Sequence, residues 1–532
     1  MSAFAAHAGP PIRYEVIAAS GGAAPGLEGV TFKRVGDPRL DALASIDDGG
    51  TIGFWTRLEG AGVTSANDLA FWLQASGQTT LLARTGDAAP GTIGTFESLT
   101  GLVVRTDGRA MFTGAIAENL GNVPANLGLF AQDAMGQLNL IDREAVQKFE
   151  IYAVQGWSAS GAVAQAIKQE VSYGPSTHAA MQQAPGFANG VVFQSFSRQP
   201  GINTQGNAAF AVMVGSATNP VTWIPAVYAN TGAGLQFIAS VNASAPGTGG
   251  IFVDVGRQPV IDDAGVVTFW GVANVLGSDV QGLWHKDVAS AGPVELLLVA
   301  GQSIPGLSGT VLTIGRDVQT SAAGELVASV VMYDGMQSFP AIVAYTPGEG
   351  WRSVAYRGQQ APDAPPAVHF SMVGPAYISA SGQIAFNATL AGEGTTAAER
   401  WGIWSIDYSG VARLIARTGH SMDIPGYGSG TPIHLAFGSG GSMGGSVQFG
   451  ASTAIAFRAV FADEGSGERE ALLLAEIPCT ADHDGSGFVD TDDFTQYVMH
   501  FEAGDPQADV DGSGFVDTDD FTAFVIAFEN GC

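Results

Sequence analysis

Two near-identical acidic segments stand 27 residues apart near the C-terminus: DHDGSGFVDTDD at Asp482–Asp493 and DVDGSGFVDTDD at Asp509–Asp520. In each, oxygen-bearing side chains alternate with small or apolar residues. Asp482, Asp484, Ser486, Asp490 and Asp493 occupy loop positions one, three, five, nine and twelve of the first copy. Asp509, Asp511, Ser513, Asp517 and Asp520 occupy them in the second, and position seven offers the backbone carbonyl of Phe488 or Phe515. Gly487 and Gly514 stand at position six, where a sharp turn excludes a Cβ. This is the pattern of a twelve-residue calcium loop, because calcium takes roughly six to eight hard oxygens in a flexible shell. Two Ca2+ ions are expected, one per loop. Without a cation, five aspartates within twelve residues would repel one another.

Each loop is followed by a helical pattern. Phe494, Tyr497, Val498 and Phe501 fall at i, i+3, i+4 and i+7, and Phe521, Phe524, Val525 and Phe528 repeat the spacing. One apolar face per helix results, suited to packing the two helices together. Val489 and Val516, at loop position eight, suit a short pairing between the loops. Cys479 and Cys532, the chain's two cysteines, bracket this segment, and a disulfide closing it is the expectation in an exported protein.

The duplicated loop-and-helix unit, lacking the entering helix of a full EF-hand, resembles type I dockerin modules. That resemblance covers about residues 480–532. It implies a small all-α calcium module that docks onto a cohesin-like or other envelope protein and anchors a secreted chain, often a polysaccharide-degrading one. Thr491, Asp492, Thr518 and Asp519 stand where cellulosomal members carry aliphatic and basic recognition residues.

The remaining nine-tenths of the chain must be something else. Of 532 residues 14% are charged and 46% hydrophobic, with 73 glycines, and short apolar runs alternate with polar punctuation. That composition indicates a mainly β body. The formal charge of −28 excludes nucleic acid and anionic membrane surfaces as partners. No apolar run reaches the roughly 18 residues of a membrane span. Residues 1–11 read as a flexible N-terminus.

Residues 12–478 repeat themselves. An apolar strand running into Pro-Gly ends at Gly26, Gly91, Gly247, Gly306 and Gly426, with poorer copies at Gly186 and Pro362. A polar turn with glycine, then an apolar strand, follows at Gly50, Gly108, Gly161, Gly206, Gly265, Gly324, Gly382 and Gly445, mostly 58 or 59 residues apart. Each unit reads as four short strands. One unit gives GRDVQTSA, ELVASVVMY, FPAIVAY and WRSVAYR, from Gly315 to Arg357. A lone four-stranded sheet cannot bury both faces, so seven or eight of them stacked around an axis are expected: an all-β propeller. Its ends should complete one blade together, with Glu15–Ala18 beside Ala471–Glu476. The body resembles tandem-repeat bacterial surface proteins with interchangeable C-terminal anchors and no assigned activity.

Enzymatic motifs are scarce. A GxSxG string at Gly440–Gly444, around Ser442, has loop composition rather than a strand–turn–helix context. His178, His285, His369, His420 and His434 are scattered over different units. The pairs Asp47-Asp48 and Asp262-Asp263 precede turn glycines and read as turn formers. Arg84 and Arg417, at equivalent repeat positions, read as structural pairs. No catalytic residue is assigned. The expected protein is secreted or cell-surface: the propeller is a glycan- or protein-binding head, and residues 479–532 are the anchor. The alternative is a secreted carbohydrate-active enzyme, a glycoside hydrolase or polysaccharide lyase, delivered by its dockerin.

Overall fold

The repeated glycines set the chain's punctuation. Gly50, Gly108, Gly206, Gly265, Gly324 and Gly382 all have positive φ, and so do the Pro-Gly glycines Gly26, Gly91, Gly186, Gly247, Gly306 and Gly426. A side chain is disfavoured there, so the turns recur wherever the glycines do. The weaker copy ending at Pro362 follows the same path, with Asp363 taking a φ of 58° in place of glycine.

The structure, a computed structural model, describes residues 12–36, 44–46, 50–104, 108–117, 126–143, 151–157, 163–167, 170–173, 176–179, 182–196, 200–217, 223–256, 258–290, 292–406, 412–437, 454–463, 467–476, 481–484, 489–510 and 515–530. Among them are eight antiparallel sheets of four or more strands, in chain order. They span residues 30–84, 95–143, 151–179, 191–240, 244–299, 310–356 and 368–417, and the eighth joins 432–476 to 13–19. Each sheet contacts the next, and the eighth contacts the first, so the sheets form the blades of a closed β-propeller. Seven blades have described packing; the third, Ile151–Ala179, is described by backbone pairing. Its strands are short, the last three of four or five residues, which accords with the compressed glycine spacing in this region.

The ring closes as the sequence indicates. Arg13–Ala19 is the fourth strand of the eighth blade, with Arg13 opposite Glu476 and Ala19 opposite Ala471. One strand expectation needs correction. The first strand of the sixth blade is not Gly315–Ala322 but Thr310–Ile314, continued by Gln319–Thr320. Gly315 N still donates to Ser329 O at 2.7 Å, in register with the Ile314–Val330 pair, and residues 316–318 then bulge out opposite Ala328 before pairing resumes at Gln319.

Aromatic triads fill the blades. Phe252, Phe269 and Trp284 come from three neighbouring strands, with Phe252 edge-on to Trp284 at 4.8 Å, and Phe370, Phe386 and Trp404 repeat this in the seventh blade. The third-strand ring reaches back to the Pro-Gly element. Trp284 Nε1 donates to Pro246 O, Trp404 Nε1 to Pro362 O, and Tyr228 Oη to Pro185 O, at 2.7–3.1 Å. The Pro-Gly repeat thus positions a carbonyl for a buried ring. Gly282 leaves room for it: a Cβ there would lie 2.6 Å from Trp284 Cη2. Gly282→Ala should therefore cost about 1–3 kcal/mol in urea unfolding. A loss below about 0.5 kcal/mol would mean that the indole shifts freely.

Hydrogen bonds one repeat apart stitch the blades together. Asn203 Nδ2 donates to Asp262 O, Thr204 N donates to Asp263 Oδ1, and Asp263 N donates to Ala322 O. Ala322 N donates in turn to Ala380 O. Asp262 and Asp263 are thus turn and stitching groups. Arg84 and Arg417 are structural too: their Nε atoms donate to the carbonyls of Asn67 and Glu399, at 2.7 and 2.8 Å.

Candidate metal centre

Beyond the propeller come two helices, α1 (Thr491–Ala503) and α2 (Thr518–Asn530), each entered through an acidic loop. Their apolar faces meet as the spacing indicates. Tyr497 stacks on Phe524 at 3.8 Å and 4°, and Phe494–Phe528 and Phe501–Phe521 flank the stack at 5.6 and 5.5 Å. Burial pushes the Tyr497 phenol well above its usual range, with the Asp520 carboxylate adding to the effect. Val516 packs against this small core, and among the described residues no bridge pairs it with Val489.

The aspartate at loop position twelve organises each loop. Asp493 is fully buried; its Oδ1 accepts from Asp484 N and its Oδ2 from Asp490 N, both at 2.9 Å. Asp490 accepts from Asp492 N at 2.8 Å and completes a capping box on α1. The second copy repeats this: Asp520, also fully buried, accepts from Asp517 N, and Asp517 accepts from Asp519 N. The carboxylates at nine and twelve therefore fold the loop onto the helix N-terminus, where negative charge is favourable.

In the first loop, Asp482, Asp484 and Asp493 each present a carboxylate oxygen, all within 4.8 Å of one another. Hard oxygens converging from positions one, three and twelve fit a hard divalent cation. Asp482 is half-buried, Asp484 and Asp490 are exposed, and Asp509 is buried. Phe515 is exposed, as is Asp517. Ser486, Phe488, Asp511 and Ser513 lie outside the described residues, as do Cys479, Cys532 and the Gly440–Gly444 string.

Sequence reasoning missed one feature. His483 Nε2 lies 2.7 Å from His500 Nδ1, tying loop one to α1. Burial, and then the neighbouring His500, hold His483 below the usual histidine range. The second copy has Val510 and Ala527 at these positions, so the departure from the internal repeat was the available signal.

A family model matches residues 7–151, 152–345 and 345–468. The chain belongs to the family of unknown function DUF7453. The DUF7453 matches run in tandem through the propeller and stop before the acidic loops, so the family identity belongs to the propeller. No curated protein matches the sequence. Among solved structures, an α-L-arabinanase of Penicillium chrysogenum, complexed with arabinobiose, is 11% identical, with 64% of this chain and 100% of that one covered and a TM-score of 0.27. Polysaccharide lyase Uly1 is 10% identical, with 81% and 89% covered and a TM-score of 0.32. A prolyl endopeptidase is 12% identical over 82% of this chain, which spans about half (46%) of its length, with a TM-score of 0.36. Likeness at this level carries nothing about activity. Among the described residues, no helix is long and apolar enough to cross a membrane.

Proposed function

We propose that this DUF7453 protein is an exported calcium-binding protein, with the propeller as a binding head and the C-terminal loop-and-helix pair as its anchor. The observation that carries the reading is the first loop. Three aspartates at calcium-loop positions one, three and twelve converge there, on a twelfth-position carboxylate already held by two backbone N–H groups. Two calcium ions are bound, the first by Asp482, Asp484, Ser486, Phe488 O, Asp490 and Asp493, the second by the matching residues of the second loop. An ion neutralises each acidic cluster and stiffens the loop against its helix. Affinities of roughly 0.1–1 mM, usual for extracellular modules, would saturate both loops only outside the cell. The module then offers a calcium-dependent surface to a cohesin-like or envelope protein.

Calorimetric titration of the full-length chain is the test. Two ions bound at sub-millimolar to millimolar affinity are expected, and absence of binding overturns the reading. Fractionation of the source cells checks the location: the protein should sit in the envelope fraction and be released by a calcium chelator. A purely cytoplasmic protein would rule out export.

A further inference from the structure

The antiparallel strand order gives the propeller two chemically different ends. One carries the Pro-Gly connections and the hairpins between second and third strands; the other carries the turns at Gly265, Gly324 and Gly382. Across residues 191–417, every exposed large apolar side chain among the described residues lies at the first end or, for Val253, Leu312 and Met372, within a first strand in the half of the blade nearer to it. Trp223, Leu276, Met336 and Trp401 occupy or flank the second-to-third-strand hairpins of four consecutive blades. Val253 and Leu312 sit in first-strand bulges, which leave them outside the pairing register. Single exposed apolar residues are ordinary on any surface, but confinement to one end of four blades is not scatter.

Leu276 sharpens the point. It forms a two-residue hairpin turn with Gly277, and both residues have positive φ, 51° and 90°. Such turns favour Asn-Gly, since a branched side chain is strained there. Leu276 is nevertheless fully exposed. A residue that serves neither the turn nor the core points to a role outside the fold.

Charge and topology describe the partner. Asp279, Asp334, Glu393 and Glu399 stand beside these hairpins, against Arg400 and against Arg357, which donates to Gln337 Oε1 and Ser338 O of the Met336 hairpin, on a chain of net charge −28. The last propeller strand runs away from this end to Glu476, which pairs with Arg13, so the C-terminal tail departs from the opposite end. We infer that the hairpin end of the propeller docks a protein whose contact surface is apolar at its centre and basic at its rim. This deepens the reading of the propeller as a binding head: an anchored tail leaves the hairpin end facing outward.

The probe is a fluorescent amphipathic peptide of alternating Leu and Lys, titrated into the calcium-loaded full-length chain. Phosphatidylcholine vesicles and a soluble β-glucan oligosaccharide are titrated in parallel. Leu276→Asn combined with Met336→Ser should weaken peptide binding by about tenfold or more. Met135→Ser, in a hairpin at the other end, should leave it unchanged. Leu276→Asn alone should keep or raise the melting temperature, since Asn suits the turn, so lost binding cannot be ascribed to unfolding. Peptide binding that ignores these substitutions overturns the inference. So does vesicle or oligosaccharide binding that depends on them where peptide binding is absent. Asp482→Ala with Asp509→Ala should leave peptide binding intact. If calcium binding fails while hairpin-dependent peptide binding persists, only the anchor reading falls; the reverse pattern removes this inference alone.

Discussion

Glu470→Ala is expected to destabilise the propeller by about 3–5 kcal/mol, because it strands a buried arginine where the ring closes. Arg458 Nη2 lies 2.7 Å from Glu470 Oε1, and both side chains are buried. Val35 N, from the first blade, donates to Glu470 Oε2 at 3.3 Å, and Arg34 Nε lies 3.8 Å from Oε1. Ser20 and Glu470 also exchange hydrogen bonds, Ser20 N to Glu470 O and Glu470 N to Ser20 Oγ. The Glu470 carboxylate thus joins the first blade to the last, while its backbone holds the N-terminal segment, and only the carboxylate contacts are lost in Glu470→Ala. Urea unfolding followed by tryptophan fluorescence measures the loss. Glu470→Leu with Arg458→Met should recover most of it, since an apolar pair of similar volume removes the orphaned charge. A loss below about 1 kcal/mol for Glu470→Ala would show that solvent reaches Arg458 and that the closure rests on strand pairing.

The second large effect concerns calcium. At a calcium concentration about a hundredfold above the dissociation constant, each loop should gain about 2.7 kcal/mol of stability. Melting of the α1–α2 pair, followed by its tyrosine and helical signals, should move upward with calcium while the propeller transition stays in place. Asp482→Ala with Asp509→Ala should abolish that response, since each removes the position-one ligand. These positions are the better choice, because Asp493 and Asp520 also hold the loops through backbone N–H groups. Asp493→Ala should therefore destabilise the calcium-free module as well, by about 1 kcal/mol of lost capping, seen as a lower melting temperature. A calcium response that survives the double substitution would remove the ligand assignment.

Much of this was readable from sequence because it is local. A turn that demands positive φ selects glycine whatever surrounds it, so the spacing of Gly265, Gly324 and Gly382 gave the blade repeat. Alternating aspartates marked the cluster of Asp482, Asp484 and Asp493 from spacing alone, and helical periodicity gave the Tyr497–Phe524 face. Even the closing of the ring by Arg13–Ala19 followed from a strand element at the N-terminus and a last unit ending near Ile477, since the two chain ends of a propeller commonly complete one blade together.

What the tertiary structure decided is long-range. Residues 316–318 leave the ladder because the facing strand offers only Ala328 between Ser329 and Val327, and Glu470 meets Arg34 only because the two ends of the chain come together. His483 and His500 are seventeen residues apart and become neighbours only once loop one folds back on α1. The gathering of Trp223, Leu276, Met336 and Trp401 at one end is likewise invisible in a linear reading. Periodicity states that a side chain alternates in or out of a sheet; only the assembled ring states which end of the molecule it reaches.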